Sequence, residues 1–337
     1  MCVFKQKFRV LGIEKLRTLV PVHPRHANSP PHARQNRPMK HKLALLAIFA
    51  LAAAMNGCIG PPLALSPQTA ERLKAQPPIR FLLTFDDGPS ASSFWNPTVT
   101  VLDSLANNPV QPGIKAVFFV QTRAPRAGGS EIGQGAMRRE YAEGHILGFH
   151  TATHWHTNHR SLDPDELEQT LSNGSADIQA ITSTAPSLVR PPFWNYDKRT
   201  FAAYQRHGMH ALLTDLSAND GKVWGITYSR QRRANLLKHL AEVREKIAAG
   251  QEAVVDGVIP VVVTFHDLNR YTARHMQEYL QILVDCARET GVKTASKPFY
   301  DDREELLRAA LARTVRDPSQ AVELPGFWNW WWDHNSH

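Results

Sequence analysis

From residue 79 onward, short continuous apolar runs alternate with amphipathic segments. The runs span 79–85, 115–120, 146–149, 188–190, 209–214 and 259–265. They are rich in Val, Ile, Leu and Phe with little polar alternation, the pattern of parallel strands covered on both faces. Helical patterns separate them. One opens at Asn96-Pro97, a second lies in GGSEIGQGAMRREYAEGH, and a third in YDKRTFAAYQRHG stops at Gly208, a residue suited to the left-handed helix end. Another carries its own start signal, with Asp163 as N-cap, Pro164 in the first turn and Glu166 completing a capping box. Longer patterns cover about 229–248 and 272–289, and a charged one covers 301–318. Repeated strand–helix units predict an α/β fold with a parallel sheet, either a barrel or a doubly wound sheet. In both, functional groups gather at the C-terminal ends of the strands.

Residues 1–57 read differently from the rest. Lys40 and Lys42 precede 13 uncharged residues, Leu43 to Met55, which suit the apolar core of an export signal and are short for a membrane span. Gly57-Cys58 follows, a small residue and a cysteine, as in a bacterial lipoprotein signal whose Cys58 becomes the lipidated N-terminus. An ordinary cleaved signal is the other reading. Either way the chain is expected to be exported, as a periplasmic or envelope-anchored lipoprotein or a secreted protein. Residues 1–38, basic and rich in Pro and His, precede that complete signal at 39–57. An upstream start chosen in error accounts for them, as does an unusually long basic leader. Residues 58–78 are expected to be a tether, 79–300 the main domain, and 301–337 a helix with a Trp-rich tail.

The formal charge of +8 resides in the leader. Residues 1–57 hold ten Lys/Arg and one acid, leaving 29 basic and 30 acidic residues in the body. Nothing there points to nucleic acid. Cys286 is the only cysteine after Cys58, which excludes an internal disulfide in the body and leaves its stability to the core.

The strand ends carry the chemistry. FLLTFDDGPS ends the first apolar run in Asp86 and Asp87, and the third is followed by HTATHWHTNH, with His150, His154, His156 and His159. Arg190 ends the fourth in RPPFWNY, Asp215 and Asp220 follow the fifth, and His266-Asp267 follow VVVTF. Asp-Asp-Gly-Pro alone is good turn chemistry, yet polar groups delivered at every strand end are not expected of a chance turn. On a helical turn His150 and His154 share a face and can bind one metal, and with one carboxylate they leave positions open. His156 and His159 are expected to stand behind the ligands, face the substrate or be simply exposed, with a place as spare ligands the lesser alternative.

TFDDGP, HTATH, RPPFWNY and FHD, in this order, resemble the polysaccharide deacetylases, carbohydrate esterase family 4, over about residues 79–290. The resemblance implies a distorted (β/α) barrel of about seven parallel strands. It implies a divalent metal, usually zinc in that family, held by Asp87, His150 and His154. Asp86 would be the general base, Arg190 would hold it in place, and His266 would be the general acid. The metal would polarise the acyl carbonyl and lower the pKa of its bound water. The reaction implied is release of N-acetyl or O-acetyl groups from a cell-envelope or extracellular polysaccharide. Asp220 would orient His266, with Asp215 as a competitor. Gly221 stands where the family has Trp, and Trp224 is a candidate to fill that space. Val263 stands at the position expected to line the acetyl pocket.

Trp155, Trp194, Trp95 and Phe193 adjoin the catalytic blocks and are candidate sugar contacts. Trp328, Trp330, Trp331 and Trp332 form either a sugar platform or a tail packed on the barrel. Two other functions fit the fold: an amide or imide hydrolase acting on a small molecule, and a carbohydrate-binding relative without catalysis.

Overall fold

The structure is a computed structural model and describes residues 65–223, 226–227 and 232–319. The leader with Cys58, Trp224 and the C-terminal tryptophans lie outside those residues. In chain order the elements are α1 (Pro67–Lys74), β1 (Ile79–Asp86), α2 (Pro97–Ala106), β2 (Val117–Gln121), α3 (Glu131–Ala142), β3 (Ile146–Thr151) and α4 (Pro164–Thr182). There follow β4 (Leu188–Val189), α5 (Lys198–Arg206), β5 (His210–Ala211), β6 (Leu216–Ser217), β7 (Lys222–Val223) and β8 (Ile226–Thr227). The last are α6 (Arg232–Ala248), β9 (Ile259–His266), α7 (Arg270–Arg274), α8 (Met276–Thr290), β10 (Thr294–Phe299) and α9 (Arg303–Ala312). Short turns of 3-10 helix cover His159–Ser161 and Pro192–Trp194.

Seven strands pair in the order β5-β4-β3-β2-β1-β9-β6, every pair parallel, and curl into a half-barrel with helices outside. β1 is its hub. All eight of its residues pair with β9, while its N-terminal half also meets β10 and its C-terminal half meets β2. Strand alternation sorts the side chains into two layers. Phe81, Leu83, Phe85, Val261, Val263, Phe265, Phe118 and Val120 face the surrounding helices in the larger core cluster. Leu82, Val262, Phe119, Leu188 and Leu212 line the interior, which Leu306, Ala309 and Ala310 of α9 close from below. Above that apolar floor come Thr84 and Thr264, register partners joined by a 2.9 Å hydroxyl contact. Asp86 and His266, the next register pair with inward side chains, stand at the mouth.

Three features differ from the pattern read in sequence. The run at 209–214 is not one strand, because β5 pairs with β4 whereas β6 pairs with β9. The chain changes partner between them and leaves the Leu212 and Leu213 carbonyls without a strand neighbour. β10 was not legible as a strand: TASKPF has no apolar run, and most of its side chains are partly or fully exposed. The supposed tether is docked over its described part. Ser66 caps α1 by accepting from the Thr69 N–H at 3.0 Å, and Leu73 is buried as the helix packs on α6.

Candidate active site

Arg190 organises the interior below the mouth. It is fully buried, its guanidinium lying 4.3 Å from the Phe119 ring centroid and 5.0 Å from that of Trp194. Nε and Nη2 donate to the Leu212 and Leu213 carbonyls at 2.9 and 3.0 Å, so the side chain satisfies the break between β5 and β6. Nη1 donates to Thr84 at 2.6 Å, Thr264 at 2.9 Å and Asp86 Oδ1 at 2.9 Å. Burial lowers its pKa and the Asp86 carboxylate opposes that shift, but a guanidinium stays charged. Asp86 is thus fixed through Oδ1, while Oδ2 is not engaged by Arg190.

The two aspartates do different things because the chain turns sharply between them. Asp86 ends β1, whereas Asp87 has φ 70°, in the left-handed region that Asp tolerates better than most residues. The following turn is tied down on both sides. Gln121 donates its backbone N–H to the Gly88 carbonyl at 2.8 Å and its side chain to the Asp87 carbonyl at 2.7 Å. Thr98 accepts from the Ser90 N–H at 2.8 Å and donates to Asp267 Oδ2 at 2.5 Å. Gly88 is required here, since a Cβ would lie 2.2 Å from the Asp267 carboxylate. Burial pushes the Asp267 carboxyl up to about 7, against the opposing Thr98 hydrogen bond.

Asp87, His150 and His156 bring ligand atoms together, all within 4.8 Å of one another. His150 Nε2 lies 3.1 Å and His156 Nε2 3.4 Å from Asp87 Oδ1, and the two ring nitrogens are 3.0 Å apart. His150 Nδ1 donates to the Arg190 carbonyl at 2.7 Å, which fixes the tautomer and leaves the Nε2 lone pair facing the cluster. Two imidazole nitrogens and a carboxylate oxygen are a donor set that fits a divalent cation. Burial would raise the Asp87 carboxyl, yet His156, His150 and His266 hold it well below the usual range. Burial lowers the His156 pKa despite Asp87, which favours the neutral, ligating form.

His154 stands outside this cluster. Its ring is exposed, edge-on to Trp155 at 4.6 Å, and it lines a separate cleft with Leu162, Glu166 and Asn173. Spacing of four residues gives a shared face only on a helix, and residues 152–158 are not helical. Instead Thr153 and Thr157 both donate to the Trp155 carbonyl, folding the loop so that His154 and Trp155 point out and His156 returns. His159 lies elsewhere, buried with Nδ1 2.9 Å from the Tyr204 hydroxyl.

At the other side of Asp87, His266 Nε2 is 3.9 Å from Asp87 Oδ2. Its Nδ1 is 2.9 Å from Asp220 Oδ1, and its backbone N–H donates to Asp220 Oδ2 at 3.0 Å. Asp220 is itself fully buried and accepts from Thr272 at 2.6 Å. Burial pushes His266 down, but Asp220 and then Asp87 and Asp86 outweigh it and raise the pKa to about 10. Asp215, the competitor, is engaged below the site by Arg313 at 2.7 Å and by the Val262 N–H at 2.8 Å. Gly221 has no side chain to offer, and its Cβ position lies 3.1 Å from the His266 ring.

Of the expected substrate contacts, Phe193 is 43% exposed and stacks on His156 at 4.5 Å, whereas Trp155, 68% exposed, points outward with its edge to His154. Phe193 and Trp194 both have positive φ, 60° and 61°, which turns their rings in different directions. Trp194 covers Arg190 and is partly buried. Val263 does not line the site. It is wholly buried in the helix-facing layer, because a residue three before His266 lies on the opposite face of the strand. Thr264, two residues before, shares the His266 face, and the period of two was the signal for it.

The chain is similar to several known proteins. A family model described as polysaccharide deacetylase matches residues 74–212. A chitin deacetylase from Pestalotiopsis is 28% identical over 143 residues, 42% of this chain and 44% of that protein. A peptidoglycan-N-acetylglucosamine deacetylase from Listeria monocytogenes is 30% identical over 209 residues, 61% of this chain and 36% of that protein. The chain thus spans less than half the length of these relatives. A family 4 acetyl xylan esterase from Clostridium thermocellum, solved with a cobalt ion, superposes with a TM-score of 0.46 at 23% identity, covering 68% of this chain and 90% of that one.

Proposed function

We propose that this chain is a polysaccharide deacetylase, a reading supported by the family model over residues 74–212 and by its similarity to the Listeria monocytogenes enzyme, and that it releases acetyl groups from an N-acetylated envelope or extracellular polysaccharide. The observation that carries the reading is the register pairing of Asp86 with His266 across β1 and β9, each held by its own buried partner. A base and an acid so fixed, with a ligand cluster between them, suit acyl transfer to water.

Asp87, His150 and His156 are the residues we assign to hold a divalent cation, zinc being the expected ion. When bound, such an ion polarises an acyl carbonyl and makes water more acidic. The free oxygen of Asp86 accepts the proton of the attacking water, while Arg190 keeps that carboxylate aimed. His266 keeps a proton on Nε2 at neutral pH, because Asp220 holds Nδ1 and raises the pKa to about 10. Nε2 therefore delivers a proton to the departing amine, which leaves poorly without one. Trp155 and Phe193 offer exposed ring faces at the rim for a sugar to stack on.

Acetate release from N-acetylglucosamine oligomers, peptidoglycan and O-acetyl xylan, with and without chelator and zinc, tests the reading. Chelator-sensitive release from an N-acetyl glycan is expected. Release only from the O-acetyl polymer, or from none, overturns it. Asp86→Asn should retain metal and lose turnover by at least about a hundredfold, within the range for a general base; full activity would remove Asp86 from that role. We further assign Cys58 as a lipid anchor. Cys58→Ser should move the protein from the membrane fraction to the soluble exported fraction, and an unchanged distribution refutes the anchor.

A further inference from the structure

We propose that Arg270 and Arg274, stacked with Trp95, form a carboxylate-binding subsite beside the catalytic mouth, so that the preferred substrate is an acetylated glycan carrying negative charge. This rests on the deacetylase reading and names its substrate class.

Trp95 lies on the loop from Asp87 to α2. That loop is tied to the site by the Ser90–Thr98–Asp267 bonds and by Asn96 Nδ2 donating to the Ser90 carbonyl at 2.8 Å. The arginines sit on α7, immediately after His266. Asn269 caps α7, donating its backbone N–H to the His266 carbonyl at 3.0 Å and its side chain to the Asp220 carbonyl at 2.5 Å. Both partners of the stack are thereby anchored to the segments that carry the acid, the base and the cation ligands.

The guanidinium carbons of Arg274 and Arg270 lie 5.0 and 6.0 Å from the Trp95 ring centroid. Trp95 is partly buried against the core, whereas both arginines are exposed. Phe94, beside it, is 100% exposed. Neither arginine has a carboxylate partner among the described residues. Their neighbour Arg232 differs, being paired with Glu278 at 3.0 Å. Arg270 and Arg274 stand four apart on one helix, a like-charge arrangement that destabilises a helix by a few tenths of a kcal/mol. The body of the chain is not basic overall, so general positive charge does not explain the pair. A neutral sugar needs only the indole face. A guanidinium over an indole face keeps N–H donors unspent, and such a planar fork takes a carboxylate through two hydrogen bonds. The ligand chemistry is therefore a carboxylate borne on the glycan, from a lactyl ether or a uronic acid.

The test is steady-state acetate release by the zinc-loaded protein from three substrates: neutral N-acetylglucosamine oligomers, glycan strands bearing lactyl carboxylates, and an N-acetylated polymer containing uronic acid. At least one charged substrate should be preferred, and the preference should weaken from about 0.05 M to about 0.5 M sodium chloride. Arg270→Glu with Arg274→Glu should cut the charged-to-neutral preference in kcat/KM by about tenfold or more, carried by KM, as expected for a lost charge-assisted contact. Arg274→Gln, a milder surface change, should give a smaller loss in the same direction. A preference for the neutral oligomer, or equal loss on all substrates in variants that melt like the parent, overturns the subsite. Acetate from none of the three sinks the deacetylase reading itself, whereas acetate without charge preference sinks only the subsite.

Discussion

Arg190→Met is the most informative single perturbation of the fold. Arg190 makes five hydrogen bonds, to Asp86, Thr84, Thr264 and the carbonyls of Leu212 and Leu213, and is fully buried. Methionine fills much of the same space between Phe119 and Trp194 but supplies no donor. Removing one partner of a buried ion pair costs about 3–5 kcal/mol. Each carbonyl stranded at the β5–β6 break adds roughly 1–3 kcal/mol unless water reaches it. A net loss of about 5 kcal/mol, after relaxation, is expected. For a domain of this size that lowers the melting temperature by about 10–20 °C. The assay is thermal and urea unfolding of the purified chain at pH 7, followed by circular dichroism. Adding Asp86→Asn to Arg190→Met removes the unpaired charge and should recover about 2–3 kcal/mol, while the stranded carbonyls keep the double variant below the parent. If Arg190→Met melts within about 3 °C of the parent, or the second change restores nothing, Arg190 is not the joint described above.

His156→Ala should lose bound zinc in mass-spectrometric metal analysis, whereas His154→Ala should retain it; the reverse result restores the four-residue spacing as the ligand pair. Gly88→Ala should destabilise by at least about 1–3 kcal/mol through overpacking, because its Cβ would lie 2.2 Å from Asp267 Oδ2; an unchanged urea midpoint refutes the close approach. Stability should also fall on acidification. Burial lowers His145 and His159 to about 3 and His239 to about 4, so the folded state binds fewer protons than the unfolded one. Their contribution is complete above the ordinary histidine range and is lost as pH falls toward those values. Urea midpoints at pH 7, 5.5 and 4.5 should decline in that order, and a flat series contradicts the assignment of three buried neutral histidines.

What was legible in the sequence followed one rule, and what was missed followed from dropping it. Unbroken apolar runs announce β1, β2, β3, β4 and β9, and the polar residues at the ends of four of them, Asp86 and Asp87, His150, Arg190 and His266, are ones that the fold gathers at or just below the mouth. Period two then separates the layers. Leu82, Thr84 and Asp86 point inward, as do Val262, Thr264 and His266, so the strands read as a ladder from apolar floor to polar middle to reactive mouth. Val263 fails that count and belongs to the helix-facing core. The His154 assignment borrowed helical geometry for a loop with none, and there the turn chemistry of Thr151, Thr153 and Thr157 decides which imidazole returns. Arg190 was legible as a strand-end cation but not as a joint. That role exists only because β5 and β6 choose different neighbours, a long-range fact no local pattern carries. The same buried guanidinium that spans the break also holds Asp86, the proposed base. Closure of the sheet and orientation of Asp86 are thus one interaction, which is why a stability measurement on Arg190 bears directly on the catalytic assignment.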